Sequence, residues 1–496
     1  MGLIAKQSIT NALYTYLGIG LGFVTTIFLY PWILNPDQYG LTRVLVSASI
    51  IGAQFAHLGI RNTVIRFFPF FRNAGGKKSG LLFLALVVPL LGYLIFSLLF
   101  WLFREQLIAF YIDRSPLFVD FFFYILPITL FILYFEVLNS YLRSLKDSTT
   151  GQLVSEVILR LAVIVNLGLY FFGWIGFDTF ILLFAASYGL QPLLLIRTLL
   201  RMGELHAGPD FSLMRRPLAR GMAGYGLYTL LGGLTTVIVW NVDIMMLGSL
   251  TGLEQTAVYA IAFYIGTVIA VPQRAIERIA APLIADHIRS KNWGQVEEIY
   301  RRSSLTQTIA GMLILLLVWS NAEPLLALLP EIYAGGKYVV LFIGLGKLFD
   351  MATGTNGSII LNSKHYRFDL SANLLLVAFT ISLNLVLIPR YGIEGAAVAT
   401  MLSIILYNLI KYLFVWQRFS MQPFTKNYLL LIFFALLSLG AASLLPDFTL
   451  IPNLFLTGLI HTALFLLPVW KLELSEDLNN YLNKLKNRIL RQRDEQ

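Results

Sequence analysis

A chain of 496 residues with 57% hydrophobic side chains, 13% charged side chains, a mean hydropathy of +0.73 and a formal net charge of +10 cannot build the polar shell of a soluble domain, which carries roughly 25% charged residues. The absence of cysteine excludes a disulfide framework and a thiolate metal site, and five scattered histidines give no metal pattern either. The basic residues lie in short strips between long apolar runs rather than along one face, which points to a membrane surface and away from nucleic acid.

Crossing a hydrocarbon layer of about 30 Å takes about 20 apolar residues in a helix. The first run, ending at Tyr30 and Pro31, is too long for a signal-peptide core and has no small-residue cleavage site, so it reads as a retained helix. In chain order, spans are expected at 8–30, 39–66, 80–103, 116–141, 151–172 and 176–200. Beyond a polar stretch they resume at 218–248, 255–283, 304–329, 338–361, 368–388 and 393–416, with a last pair at 427–446 and 451–470. The fold class is an all-α polytopic membrane protein of about 14 transmembrane helices. Its expected organisation is a six-helix lobe (1–200), a cytoplasmic linker (201–217), a second six-helix lobe (218–416), two additional helices (417–470) and a cytoplasmic amphipathic tail (471–496).

Lysine and arginine bias in short loops sets orientation, because cationic flanks resist translocation. One set of alternate loops holds Lys77, Lys78, Arg143, Lys146, Arg215, Arg216, Arg289, Lys291, Arg301, Arg302, Lys364, Arg367 and Lys426. The other set is poor in cations and holds Asp37, Asp113, Asp178, Glu254, Glu323, Glu331 and Asp447, with Arg104, Arg114, Lys337 and Arg390 as exceptions. Multi-pass insertion with both termini inside follows, as for an inner-membrane type of protein. The tail places Leu474, Leu478, Tyr481, Leu482, Leu485 and Ile489 at helical spacing opposite basic residues, which suits either the anionic inner leaflet or a solvated helix.

An internal repeat is visible. Phe135 and Glu136 align with Phe349 and Asp350, Asn166 with Asn384, and Thr25 and Thr26 with Thr235 and Thr236. The offset, roughly 210 to 218 residues, is the length of six spans with their loops. Six is even, so the halves insert in the same orientation; parallel repeats of this kind are a transporter device.

Ionisable residues within spans cost about 2.5 to 3.5 kcal/mol each on insertion scales, so they face a cavity, find a partner or snorkel to an interface. Arg61 and Arg66 lie near the inner end of span two, and Arg274 and Arg278 at comparable depth in span eight. Guanidinium groups grip phosphate in a planar fork and keep their charge, so these four are candidate ligands of a pyrophosphate headgroup, against the alternative of plain anchoring. Arg43, one turn into span two from the outer side, is a candidate gate residue. Lys347 and Asp350 share a face near the middle of span ten, Glu136 occupies the repeat position equivalent to Asp350, and Asp243 lies in the outer part of span seven. These are candidates for ion coupling or for paired structural charge. Glu156 and Arg160, four apart, read as a satisfied pair, and Arg274 has a possible neutralising partner in Glu277. No Walker A, His-Glu-x-x-His or Gly-x-Ser-x-Gly pattern occurs, so an ATPase or hydrolase reading has no support and no cofactor is expected.

Three segments carry a family resemblance: YPWILNPDQYGLTRVLVSASI, HLGIRNTVIRFFPFF with Gly59, Arg61 and Arg66, and VDIMMLGSLTGLEQTAVYAIAFYI with Asp243, Leu247, Gly248 and Tyr259. They resemble the multidrug/oligosaccharidyl-lipid/polysaccharide exporter superfamily, in its polysaccharide-biosynthesis, O-antigen flippase-like branch. The resemblance implies two six-helix lobes plus two helices and translocation of polyprenyl-pyrophosphate-linked oligosaccharide for surface polysaccharide such as lipopolysaccharide, capsule or exopolysaccharide. It also implies basic cavity residues on spans two and eight, where Arg61, Arg66, Arg274 and Arg278 fall. Related peptidoglycan-precursor flippases carry basic residues in span one as well, and this chain has none between Lys6 and Asp37.

The expected partners are the lipid-linked oligosaccharide, membrane lipid, an H+ or Na+ coupling ion and other polysaccharide-assembly proteins. The rival readings are a cation-coupled multidrug exporter of the same superfamily and a membrane-embedded glycosyltransferase or polymerase. The first calls for acidic, aromatic cavity walls and the second for a sizeable loop bearing carboxylates.

Overall fold

The computed structural model describes residues 3–72, 79–205, 208, 216–446 and 448–480. Lys77, Lys78, Arg215, Asp447 and the tail positions Tyr481, Leu482, Leu485 and Ile489 fall outside the described residues. Among those described, the chain is helical with no strand, and eleven helices have the length and apolarity to cross a membrane, or twelve if one bent pair counts as a span. The remaining expected spans are helical too. Those at 368–388 and 393–416 are the two arms of one 54-residue element broken at Gly392 (φ 56°), and that at 427–446 is a helix of 16 residues. Apolar side chains point outward along them, with Ile451 81% and Leu436 64% exposed, as hydrocarbon solvent permits. Polar loops, by contrast, confine themselves to the helix ends.

The chain divides into two compact units, Met1–Ala257 and Val258–Gln496. The first holds α1 (Gln7–Ile33), α2 (Pro36–Ala56), α3 (Ile60–Arg72), α4 (Ser79–Leu102), α5 (Pro116–Ser144), α6 (Thr149–Phe171), α7 (Phe177–Arg201) and α8 (Arg216–Leu250). The expected lobe boundary at the 201–217 linker differs from this division, because α8 packs along α2 and α3. A capping box starts α2: Asn35 Oδ1 accepts from Gln38 N at 2.8 Å and Gln38 Oε1 from Asn35 N at 3.1 Å, with Pro36 in the first turn where no amide is needed. Between α2 and α3 the chain bends by 42°. Leu58 (φ 46°) and Gly59 (φ 78°) both adopt left-handed backbone there, and Gly59 N donates to His57 Nδ1 at 2.8 Å. A side chain at Gly59 would strike the Gly226 carbonyl of α8, so glycine is required both for conformation and for the close approach.

The second unit contains most of α9 (Leu253–Arg289), then α10 (Trp293–Ser320), α11 (Lys337–Ala352), α12 (Asn356–Asn362), α13 (Tyr366–Phe419), α14 (Asn427–Ala442) and α15 (Leu450–Lys471). Ile309, Leu316, Leu431, Phe465 and Val469 form the core that joins α10, α14 and α15. The same three helices interlock through polar groups. His461 meets Ser438 (2.6 Å) and Ser320 (3.0 Å), while Asn321 Nδ2 donates to Thr457 Oγ1 at 2.9 Å. Such bonds hold helices together where lipid removes the hydrophobic driving force. Leu474, read above as part of a leaflet-lying face, is instead 6% exposed in this core with Leu478 packed beside it, because the chain turns at Glu473 (φ 51°) back onto α10.

Candidate functional site

On the first unit, the amphipathic α3 turns Phe67, Phe68 and Phe71 inward and leaves Arg61 and Arg66 partly free. Arg61 Nη1 lies 3.0 Å from Glu136 Oε2 of α5, with both side chains about one-third exposed. The two candidates therefore neutralise each other. Arg66 is exposed; its guanidinium stands 4.3 Å from the ring centroid of Tyr225 on α8 and 5.8 Å from that of Phe67. An arginine stacked on an aromatic face is oriented without being discharged, which leaves its donors for an anion.

Arg43 is enclosed differently. Its Nε and Nη2 donate to Tyr39 Oη at 2.9 and 2.7 Å and Nη2 reaches Thr26 Oγ1 at 3.4 Å, while the guanidinium lies 4.9 Å from the Tyr39 ring and 5.5 Å from Tyr30. Tyr30 and Tyr39 are themselves stacked at 4.7 Å. Thr26 sits in a π-helical turn, Val24–Leu29, which re-aims the side chains of α1 at this point. Asp243 is buried, 3% exposed, on α8.

Although α1 carries no cation between Lys6 and its end, Arg160 reaches it from α6. A Cβ at Gly22 would lie 2.3 Å from Arg160 Nη1 and one at Gly18 would lie 2.5 Å from Glu156 Oε2, so two glycines one turn apart admit this pair. Arg160 and Glu156 are joined at 3.0 Å, as their spacing suggests.

On the second unit, Arg274 and Arg278 of α9 are exposed and make no ion pair among the described residues. Glu277 is directed away from them: Gln273 Nε2 donates to Glu277 Oε1 at 3.4 Å and to Asp350 Oδ2 of α11 at 3.0 Å, so one amide holds two carboxylates. Lys347, one turn before Asp350, is buried at 7% exposure.

A second buried cation was not legible in the sequence. Lys411 of α13 is 7% exposed, 3.9 Å from Asp369 Oδ1, and donates to Tyr407 Oη at 3.1 Å. Tyr407 Oη donates to Asn373 Oδ1 at 3.1 Å, and Asn373 Nδ2 donates to Asp369 Oδ2 at 3.0 Å, which closes the ring. Gly357 of α12 leaves room for the ammonium, since a Cβ there would lie 2.7 Å from Lys411 Nζ. Lys411 is also within electrostatic reach of Glu277, so the unit contains a connected patch of three carboxylates and one ammonium. No group of His, Cys, Asp and Glu arranged to hold a metal ion occurs among the described residues.

The helices define a multi-pass membrane protein. Residues 229–387 match the MatE family. The fold is similar to that of the lipid II flippase MurJ in an inward closed conformation, with a TM-score of 0.69 and 14% identity, covering 92% of this chain and 98% of that one. It is also similar to an inward-facing multidrug resistance MATE family transporter of the MOP superfamily, with a TM-score of 0.62 and 15% identity, covering 82% and 98% of the two chains. In sequence it is 22% identical over 448 residues to an uncharacterized membrane protein of Methanocaldococcus jannaschii, covering 85% of this chain and 86% of that one. The fold is thus shared with the lipid II flippase MurJ and with a MATE family transporter.

Proposed function

We propose that this protein is a flippase that moves polyprenyl-pyrophosphate-linked oligosaccharide units across the bacterial cytoplasmic membrane for surface polysaccharide synthesis, with both termini in the cytoplasm. The observation that carries the reading is the set of exposed guanidinium groups at Arg66, Arg274 and Arg278, none ion-paired among the described residues. Each of these groups keeps donors that a phosphate accepts in a planar fork. Arg61 is a reserve cation held by Glu136, and Arg43 acts as an outer gate post held by tyrosines. The patch formed by Asp350, Glu277, Asp369 and Lys411 is the coupling element, in which binding of H+ or Na+ changes the balance of charge. Lys347 and Asp243 complete the buried ionisable set.

A second reading, a cation-coupled multidrug exporter, is favoured by those same carboxylates in the second unit. Proteoliposomes separate the two. Transfer of a fluorescent lipid-linked oligosaccharide between leaflets, without uptake of a lipophilic cation such as ethidium, is the expected result. Ethidium transport without lipid transfer overturns the flippase reading.

A further inference from the structure

The exposed Arg66 has a neighbour of the opposite chemistry. Where α2 bends into α3, the close contact of Gly59 with Gly226 fixes one point, and Gly92 of α4 fixes another, since a Cβ there would lie 2.0 Å from the Ala56 carbonyl. Beyond these contacts α3, α4 and α8 diverge and leave a groove of about 440 Å³, within the usual range of ligand pockets, roughly 300–1,000 Å³. Leu58, Leu84, Val88, Ala223 and Leu227 line it, and its one side-chain hydroxyl, Thr63 Oγ1, is already spent on the Gly59 carbonyl at 3.0 Å. No side-chain donor in the lining is left for a sugar. Leu58 and Leu227 are 40% and 59% exposed, so the groove is open.

Arg66 lies one turn beyond Thr63 on α3, and its stacking partner Tyr225 directly precedes Gly226, which also lines the groove. An apolar channel with a free guanidinium at its rim is complementary to a long hydrocarbon chain with an anionic end. We infer that this groove on the first unit holds the first isoprene units of a polyprenyl phosphate, seating the chain next to Arg66. The inference rests on the proposed flippase function for the choice of an isoprenoid over an ordinary phospholipid. The groove positions the headgroup by holding its tail through van der Waals packing, because lipid removes the hydrophobic driving force.

The test is native mass spectrometry of the full chain with three probes: undecaprenyl phosphate, geranyl pyrophosphate and palmitoyl-oleoyl phosphatidylglycerol. Ala223→Trp fills the groove and is expected to weaken undecaprenyl phosphate and geranyl pyrophosphate, which share the first isoprene units, roughly tenfold each, while phosphatidylglycerol binding is unchanged. Arg66→Ala is expected to weaken both. Since the chain has no cysteine, Leu227→Cys gives a single reactive thiol whose maleimide labelling undecaprenyl phosphate should slow in an otherwise unfilled groove. Wild-type undecaprenyl phosphate binding by Ala223→Trp, or equal protection of Leu227→Cys by phosphatidylglycerol, overturns the inference. Lipid transfer in proteoliposomes is read separately: transfer that Ala223→Trp leaves untouched refutes the groove alone, whereas groove-dependent binding with no transfer by the wild type refutes the function and leaves the groove.

Discussion

Arg61 Nη1 stands 3.0 Å from Glu136 Oε2, so the first cation of α3 and a carboxylate of α5 are a pair. Because each side chain is about one-third exposed, the pair is worth about 0.5–1 kcal/mol, the range of partly solvated ion pairs. A double-mutant cycle with Arg61→Ala and Glu136→Ala, followed by thermal unfolding in detergent, should return a coupling of that size. Arg61→Ala should also reduce lipid transfer less than Arg66→Ala, since Glu136 already neutralises the first arginine.

Lys411 is predicted to be structural as well as functional. It is 7% exposed with Asp369 and Tyr407 as partners, and removing one member of a buried pair leaves the other charge unsatisfied. Lys411→Met should therefore destabilise the protein by about 3–5 kcal/mol, whereas Arg274→Ala, at an exposed position, should leave the melting temperature unchanged. Measured melting curves of the two variants check the contrast.

Gly59 is the position least tolerant of a side chain. Its φ of 78° is left-handed, and a Cβ would lie 1.9 Å from the Gly226 carbonyl. Backbone strain alone costs about 1–3 kcal/mol, and the contact with α8 adds to it because a carbonyl of a packed helix cannot move aside. Gly59→Ala should lower the melting temperature and the yield of folded protein, while Gly168→Ala, with no atom near its Cβ position, should not.

The loop between α5 and α6 is predicted to be acid-sensitive. Burial raises the pKa of Asp147, but the opposing effect wins: Thr150 Oγ1 (2.6 Å), Thr149 Oγ1 (3.1 Å) and the amides of Thr149 (3.0 Å) and Thr150 (3.1 Å) all donate to its carboxylate and hold it below its ordinary 3.8. A depressed carboxylate contributes stability that is present above its unfolded value and is lost as the pH falls through the folded one. Asp147→Ala should cost about 1 kcal/mol at neutral pH, as loss of a helix-start acceptor does. The difference from wild type should shrink below about pH 4 in unfolding curves recorded against pH.

Hydropathy alone located the helices, because runs of about 20 apolar residues have no other stable place. Span ends shifted where a polar helix continues into the aqueous layer: α10 begins at Trp293, eleven residues before the apolar run. Asp350 was legible as a charge far from either end of its span. Lys411 was not, since its position near Arg418 imitates ordinary anchoring, and Asp369 and Gly357 lie far away in sequence. Part of the tyrosine cage of Arg43 was hidden for the same reason: Tyr39 lies four residues before it on α2, but Tyr30 belongs to α1. Spacing reveals partners on one helix, such as Glu156 and Arg160, and not those brought together by packing.

The most direct test is the rate at which proteoliposomes transfer a fluorescent undecaprenyl-pyrophosphate oligosaccharide, compared among wild type, Arg66→Ala and Arg274→Ala at equal amounts of inserted protein. Loss of a charge-assisted hydrogen bond worth about 1.5–3 kcal/mol predicts a fall of roughly tenfold or more in each variant. Equal rates in all three would contradict the account and reduce these arginines to anchors at the membrane surface.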